Sequence, residues 1–439
     1  MLLTIASILV KVICDDYLTD VQSIVLNHHY GKIEGRLLKT QDGFWVQRFL
    51  GVPFAKPPLG SLRFMAPIEP DKYDGIWPAL KPPRPCVQLH YNVSYDREHS
   101  EDCLYLNIYA PYQAAQLPVF VWVHGGGFQV GHSMEYPAEG VIRNLVTKNI
   151  IVVTLQYRLG IYGFATTSDS TAPGNNGLWD IIAALRWTQK CILAFGGNRD
   201  EVTLAGESAG AALVSILAVS PLANKFFSRT VSHSGSALAP WAVTHKSFQT
   251  TVKVAELLNC PVSEHIALMD CLREKTVSQL DWAQKLLMLS ECKDKAMDVS
   301  DLLVWTPFAD DTLMTYLMNW QDSKPAIIGV NRDESVLLRC HHSLDTTYLF
   351  HHNQTNTLFN FTWSSEDYKL ADTFAQLWTS FIIQGRPSSN LLQQWYHFNK
   401  TDKAILHLKP HPEMMSANIK ASINKLKSAS SRDQGKNEL

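Results

Sequence analysis

Several features common in other protein classes are missing from this chain of 439 residues. None of its eight cysteines forms a C-x-x-C pair, which removes the main support for a zinc site or a thioredoxin-like redox centre. No dense run of Lys and Arg occurs and the formal net charge is −2, so nothing recommends nucleic acid or another polyanion as partner. Beyond the first residues, no apolar stretch is long enough for a membrane helix. Internal repeats and low-complexity linkers that would divide a core are also lacking. What is present is an ordinary globular composition, 46% hydrophobic and 18% charged. Length alone would suggest about three domains, but an open α/β sheet often uses such a length in one.

The two ends carry compartment signals. Leu2 to Ile13 is a short apolar stretch, interrupted by Lys11 and followed by Cys14, Asp15 and Asp16. It reads as a signal peptide over residues 1–14. The last four residues, Lys436-Asn437-Glu438-Leu439, resemble the tetrapeptide that returns soluble proteins to the endoplasmic reticulum, and they close a Lys-, Ser- and Asn-rich tail expected to be flexible from residue 413. Together the ends suggest the lumen of that organelle. Cys86 and Cys103 flank one polar loop and Cys260 and Cys271 another, spacings that suit local disulfides in an oxidising compartment. Asn92, Asn353, Asn360 and Asn399 each begin an N-x-S/T sequon.

Between the ends, residues 17–412 read as one α/β domain. Its first hundred residues suggest short strands joined by Pro- and Gly-rich turns, at Ser23 to Leu26, Val46 to Gly51 and Leu104 to Tyr109. From Leu117 the strands become near-continuous apolar runs: Pro118 to Val123, Ile150 to Leu155, Val202 to Ala205, Thr230 to Ser232 and Ala326 to Val330. Strands buried on both faces look like this, so a mostly parallel sheet flanked by helices is expected, with a small antiparallel N-terminal portion. Helices are expected from Asn176 as cap, over Ala209 to Val219, and from a Ser364/Asp367 capping box to a stop at Gly385 and Pro387.

The decisive segment is Val202-Thr203-Leu204-Ala205-Gly206-Glu207-Ser208-Ala209-Gly210. A serine on a sharp strand-to-helix turn needs glycines two residues to either side, where a side chain would strike the adjoining strand and helix. The turn lifts the Ser208 hydroxyl to the start of a helix, where the Ala209 amide and the helix dipole favour developing negative charge. Independently, the strand Val119 to Val123 runs into His124-Gly125-Gly126-Gly127-Phe128, whose glycines let amides approach an acyl oxygen. Gly126, Gly127 and Ala209 are the candidate oxyanion donors, and Ser208 is the candidate nucleophile.

With these pieces the chain resembles the type-B carboxylesterase and cholinesterase family of α/β-hydrolases over nearly its whole length. Matching phrases are Phe49-Leu50-Gly51-Val52-Pro53-Phe54-Ala55, Glu101-Asp102-Cys103-Leu104-Tyr105-Leu106-Asn107, Pro173-Gly174-Asn175-Asn176-Gly177-Leu178, the HGGGF run and the GESAGA run. The resemblance implies the disulfides Cys86–Cys103 and Cys260–Cys271. It implies a catalytic acid at Glu334 in Gly329-Val330-Asn331-Arg332-Asp333-Glu334, with Asp333 as neighbour. It also implies a base at His342, rather than His341, in His342-Ser343-Leu344-Asp345-Thr346-Thr347-Tyr348-Leu349-Phe350.

One departure stands out. Seven residues separate Glu334 from His342, where the family has a longer helical segment and a further strand. Seven residues reach at most about 25 Å, while a parallel crossover takes roughly a dozen or more. The last part of the sheet and its helical region are therefore expected to be truncated. Either His342 hangs directly from the acid loop or the triad is not assembled.

With the triad in place, the implied reaction is acyl transfer from a small-molecule carboxylic ester to Ser208 and then to water, with no metal or organic cofactor. Between Cys86 and Cys103 stand Tyr91 and Tyr95 but no Trp, which argues against cation–π recognition of choline esters. Two other readings compete: a catalytically impaired esterase that keeps its nucleophile, and a cholinesterase-like adhesion module, against which Ser208 itself speaks.

Overall fold

The computed structural model describes residues 17–89, 98–291, 303–308, 324, 326–329, 349–350, 365–389, 404–407 and 413–416. The expected signal peptide, all four sequons, Asp333, Glu334, His341, His342 and the C-terminal tetrapeptide lie outside the described residues. By internal contacts the chain divides into two compact units, Met1–Phe361 and Thr362–Leu439.

In the first unit a single sheet is built from β1 (Leu18–His28), β2 (Gly31–Thr40), β3 (Trp45–Pro53), β4 (Ile76–Pro78), β5 (Tyr105–Pro111), β6 (Leu117–Val123), β7 (Ile151–Leu155), β8 (Gly197–Glu207), β9 (Arg229–His233) and β10 (Ala326–Gly329). The spatial order is β1-β2-β3-β5-β7-β6-β8-β9-β10, with β4 beside β2. Pairing is antiparallel from β1 through to β7. It becomes parallel from β7 through β6, β8 and β9 to β10. The expected α/β architecture, antiparallel at its N-terminal side and parallel in its core, is therefore observed.

Every residue of Val119–Val123 and Ile151–Val153 is fully buried, which is why these runs lack polar alternation. The connecting helices are α1 (Ala138–Asn144), α2 (Gly160–Phe164), α3 (Asn176–Cys191), α4 (Ala209–Val219), α5 (Ser247–Leu257), α6 (His265–Glu274) and α7 (Val277–Glu291). Ala209 to Leu217 of α4 is almost wholly buried, as an apolar helix beside the sheet centre must be.

The cap expected at Asn176 is displaced by one residue. Asn176 is the first residue of α3, and Asn175 precedes it with φ 52° and no capping side-chain bond. The Asn175 amide is used elsewhere: its Nδ2 donates to the Phe308 carbonyl (3.0 Å) and its Oδ1 accepts from the Phe308 N–H (3.2 Å).

One ion pair within this core is deeply buried. Arg158 and Asp180, 3% and 0% exposed, meet bidentately at 2.8 and 2.7 Å, and Asp180 also accepts the Arg158 backbone N–H. Asp180→Ala leaves that guanidinium without its counter-charge, so a loss of about 3–5 kcal/mol is expected. Denaturant unfolding measures it; a loss below roughly 1 kcal/mol, the size of an exposed pair, would contradict the assignment.

The second unit contains α8 (Ser365–Gln384) and the antiparallel hairpin of β11 (Ala404–His407) and β12 (Glu413–Ser416). Buried Phe374, Leu377, Trp378 and Phe381 mark the apolar face of α8. The helix stops where expected, with Gly385 at φ 73° donating to the Phe381 carbonyl. Residues 413–416, read from sequence as the start of a flexible tail, form the paired strand β12.

Candidate active site

The site lies at the carboxyl ends of the parallel strands, where an open α/β sheet leaves a crevice between diverging connections. Strand β8 ends at Glu207 and helix α4 begins at Ala209, so Ser208 alone makes the turn. It does so at φ 53°, ψ −122°, a conformation that costs a non-glycine residue about 1–3 kcal/mol. Surrounding contacts hold it there. The Ser208 N–H donates to the His233 carbonyl at the end of β9 (2.8 Å), and its own carbonyl accepts the Ala212 N–H of α4 (3.0 Å). A side chain at Gly206 would sit 2.6 Å from the Gly210 carbonyl carbon, and one at Gly210 would sit 2.3 Å from the Val123 oxygen. Helix and strand thus approach too closely for any residue but glycine, as the motif requires.

The glycine run after β6 faces this turn. A Cβ on Gly125 would lie 3.1 Å from the Ser208 Cβ and 2.3 Å from a Glu207 carboxylate oxygen. Gly126 (φ 106°) and Gly127 (φ 60°) then turn the chain in left-handed conformations, and Gly126 accepts the N–H groups of Gln129 and Val130. The structure therefore brings Ser208 and Gly125 together, with Ala209 next to Ser208 and Gly126 and Gly127 next in the chain after Gly125.

His124, although beside the glycines, is removed from proton transfer. Its ring is buried and stacked on Tyr157 (4.5 Å between centroids), and its Nδ1–H donates to the Gly125 carbonyl (2.8 Å). Burial pushes the imidazole down to about 4, so it is neutral and structural.

Two carboxylates were not singled out from the sequence. Glu207 is 5% exposed and lies directly before the serine. Glu135, whose side chain is 16% exposed, stands 3.9 Å from the His132 ring nitrogen. Burial, reinforced by the charge of Glu207, pushes the Glu135 carboxyl up to about 8. Relative to the ordinary 4.5, the folded chain keeps a proton that the unfolded chain has released, so this residue lowers stability as pH rises from about 4.5 to about 8. Glu135→Gln removes the titration. Its melting temperature is expected to gain on the parent progressively across that window; a constant difference between the two curves would refute the shift. The clue in the sequence was a lone Glu a few residues after a glycine run, too common a pattern to mark it.

Both expected disulfides, Cys86–Cys103 and Cys260–Cys271, are formed, while Cys191 is a buried free thiol. Among the described residues no group of His, Cys, Asp and Glu is arranged to hold a metal ion, and no helix is long and apolar enough to cross a membrane.

The fold and this turn define the chain's class, and comparison with known proteins agrees. The carboxylesterase family model matches residues 22–340 and 337–426, and the chain belongs to that family. The two matched stretches meet at residues 337–340, between Glu334 and His342, at the departure noted in the sequence. Among relatives, the pyrethroid hydrolase Ces2a of Mus musculus is 38% identical over 329 residues, 72% of this chain and 57% of that protein. Carboxylesterase 5A of Mus musculus is 41% identical over 66% of this chain and 51% of its own length, and cocaine esterase of Homo sapiens 39% over 60% and 49%. The chain thus spans about half the length of the curated relatives it matches. A solved PNB esterase shares the fold with TM-score 0.79 at 23% identity, over 92% of this chain and 99% of that one.

Proposed function

We propose that this chain is a serine carboxylic-ester hydrolase working through an acyl-enzyme on Ser208. Glu334 and His342 complete the triad, and the amides of Gly126, Gly127 and Ala209 bind the oxyanion. The observation that carries the reading is the strained turn at Ser208, whose Cβ lies only 3.1 Å from where a Cβ on Gly125 would stand. A serine at φ 53° with ψ −122° occupies a sparsely populated region of the kind that gathers at active sites.

Support for the triad comes from the two ends of the segment that carries it. β10 stops at Gly329, the register partner of His233, whose carbonyl accepts the Ser208 N–H. Glu334 follows five residues later. At the other end, Leu349 and Phe350 are buried, and the Phe350 ring packs on Trp122 of β6 (4.8 Å). His342 is seven residues before Leu349, at most about 25 Å of chain. The flanks of the short segment thus join the sheet at β9 and β6, the two neighbours of β8, which keeps a base hanging from the acid loop within the chain's reach of Ser208.

Residence in the endoplasmic reticulum lumen accompanies this reading, and the two disulfides fit such an oxidising compartment. The test is saturable turnover of a short-chain aryl ester by the full chain, blocked by an organophosphate. Folded protein that neither turns over the ester nor takes up the organophosphate would establish the catalytically impaired alternative.

A further inference from the structure

The glycine turn ends in a second strained residue of the site. Phe128, directly after Gly127, has φ 62°. A positive φ is a genuine outlier for so bulky a residue, and such strain persists only where the surroundings enforce it. Here both halves of the residue are fastened. The Phe128 carbonyl accepts the Gly160 N–H at the start of α2 (2.8 Å). The ring, fully buried, meets Phe164 of α2 edge-on (5.6 Å between centroids, 74° between planes) and lies 6.1 Å from the Trp241 ring. α2 is a firm anchor. All five of its residues are buried, and its Ile161 N–H donates to Gln284 Oε1 of α7 (2.8 Å). Arg158, two residues before it, is locked to Asp180.

We propose that Phe128 is a positioning residue of the hydrolase: clamped by α2, it sets the direction of the Gly126 and Gly127 amides toward the oxyanion. The inference rests on the proposed Ser208 chemistry and deepens it. The physical logic is that of one rotatable bond. The angle φ turns the peptide before Phe128 relative to its carbonyl, and Gly160 pins that carbonyl. Relaxation from 62° to the ordinary region near −60° would swing the Gly127 peptide by about 120°. Gly126 and Gly127 have no side chains to resist the swing. The bonds from the Gln129 and Val130 N–H groups to the Gly126 carbonyl span Phe128, so they too depend on its φ. The lock is therefore the packed ring. An error of about 1 Å at a reacting group costs on the order of 10²-fold in rate. Being fully buried, Phe128 acts through the glycines and not on the ester itself.

Two variants release the clamp differently. Phe128→Ala keeps the strain and removes the ring, while Phe164→Leu keeps the ring and removes the face it rests against. In the full chain, Phe128→Ala is expected to lower kcat for an aryl acetate at least about tenfold with KM within about twofold. Phe164→Leu is expected to lower it at least about threefold in the same manner. The diagnostic probe is an aryl trifluoromethyl ketone. The Ser208 oxygen adds to its carbonyl carbon, the hydroxyl proton passes to the general base, and the carbonyl oxygen becomes an oxyanion held by the amides. The hemiketal thus reports the donors without turnover. Its Ki is expected to rise by the same factor as kcat/KM falls, in both variants. A merely loosened pocket raises Ki and KM together and leaves their ratio unchanged. Parental kcat in folded Phe128→Ala, or an unchanged ratio of Ki to KM, overturns the inference, while the inactivity of Ser208→Ala leaves the proposed function standing. A Ser208→Ala variant as active as the parent, or a parent that hydrolyses no ester, overturns both. Should Phe128→Ala lose its near-UV circular dichroism, Phe164→Leu alone decides.

Discussion

Ser208→Ala is expected to reduce turnover of an aryl ester by at least about 10⁴-fold while leaving the fold intact. The magnitude follows from what the residue does: without the hydroxyl no acyl-enzyme forms, and only oxyanion binding and substrate positioning remain. The protein should stay folded because the elbow is secured by backbone bonds to His233 and Ala212 rather than by the Ser208 side chain's bulk. A second variant separates chemistry from strain. Ser208→Gly is expected to be as inactive, yet up to about 1 kcal/mol more stable than Ser208→Ala, since glycine takes φ 53° without penalty. Kinetics at saturating ester and denaturant unfolding measure the two effects. Residual activity within about tenfold of the parent would remove Ser208 from the mechanism.

Gly126→Ala is expected to produce the next largest loss, about 10²- to 10³-fold in kcat with little change in KM. The added methyl meets the Val130 carbonyl at 2.0 Å in a backbone already at φ 106°, so the turn must move and carry its amide with it. The turn is half-buried and lies beside, not within, the packed strands, so the damage should remain local. Because the oxyanion forms only in the reaction, misplaced donors lower kcat rather than ground-state binding. A change confined to KM would contradict the assignment of Gly126 to the oxyanion hole.

The parts of the fold that were legible in the sequence share a physical cause. Strands β6, β7 and β9 and the second half of β8 are buried and therefore uninterrupted in their apolar runs, which were expected close to their observed spans; the first half of β8, with exposed Arg199 and Asp200, was not. The elbow was legible because two close backbone approaches leave glycine as the one residue that fits at Gly206 and Gly210. β2 escaped for the complementary reason. Its Gly35 interrupts the pattern, and in the sheet it opens space for the Phe49 ring of β3, 2.4 Å from where a side chain would stand. Helices α5 to α7 were not delineated either; they carry exposed Ile266, Trp282 and Leu289 that blur their apolar periodicity.

In the site, local motifs spoke and long-range packing did not. Ser208, Ala209 and the glycines were readable because the turn dictates its own residues. Glu135 carries no local pattern; its raised carboxyl pKa comes from burial and from the charge of Glu207, far away in the chain. The acid and base proposed at Glu334 and His342 rest on motif likeness, since both lie outside the described residues.

The measurement that bears most directly on the whole account is peptide mapping by mass spectrometry after reaction of the full chain with a fluorophosphonate. A single phosphonyl adduct on the Ser208 hydroxyl, formed in step with the loss of ester hydrolysis and absent from Ser208→Ala, is the result expected. Hydrolysis extinguished by a label on another residue, or persisting undiminished with Ser208 fully modified, would contradict it.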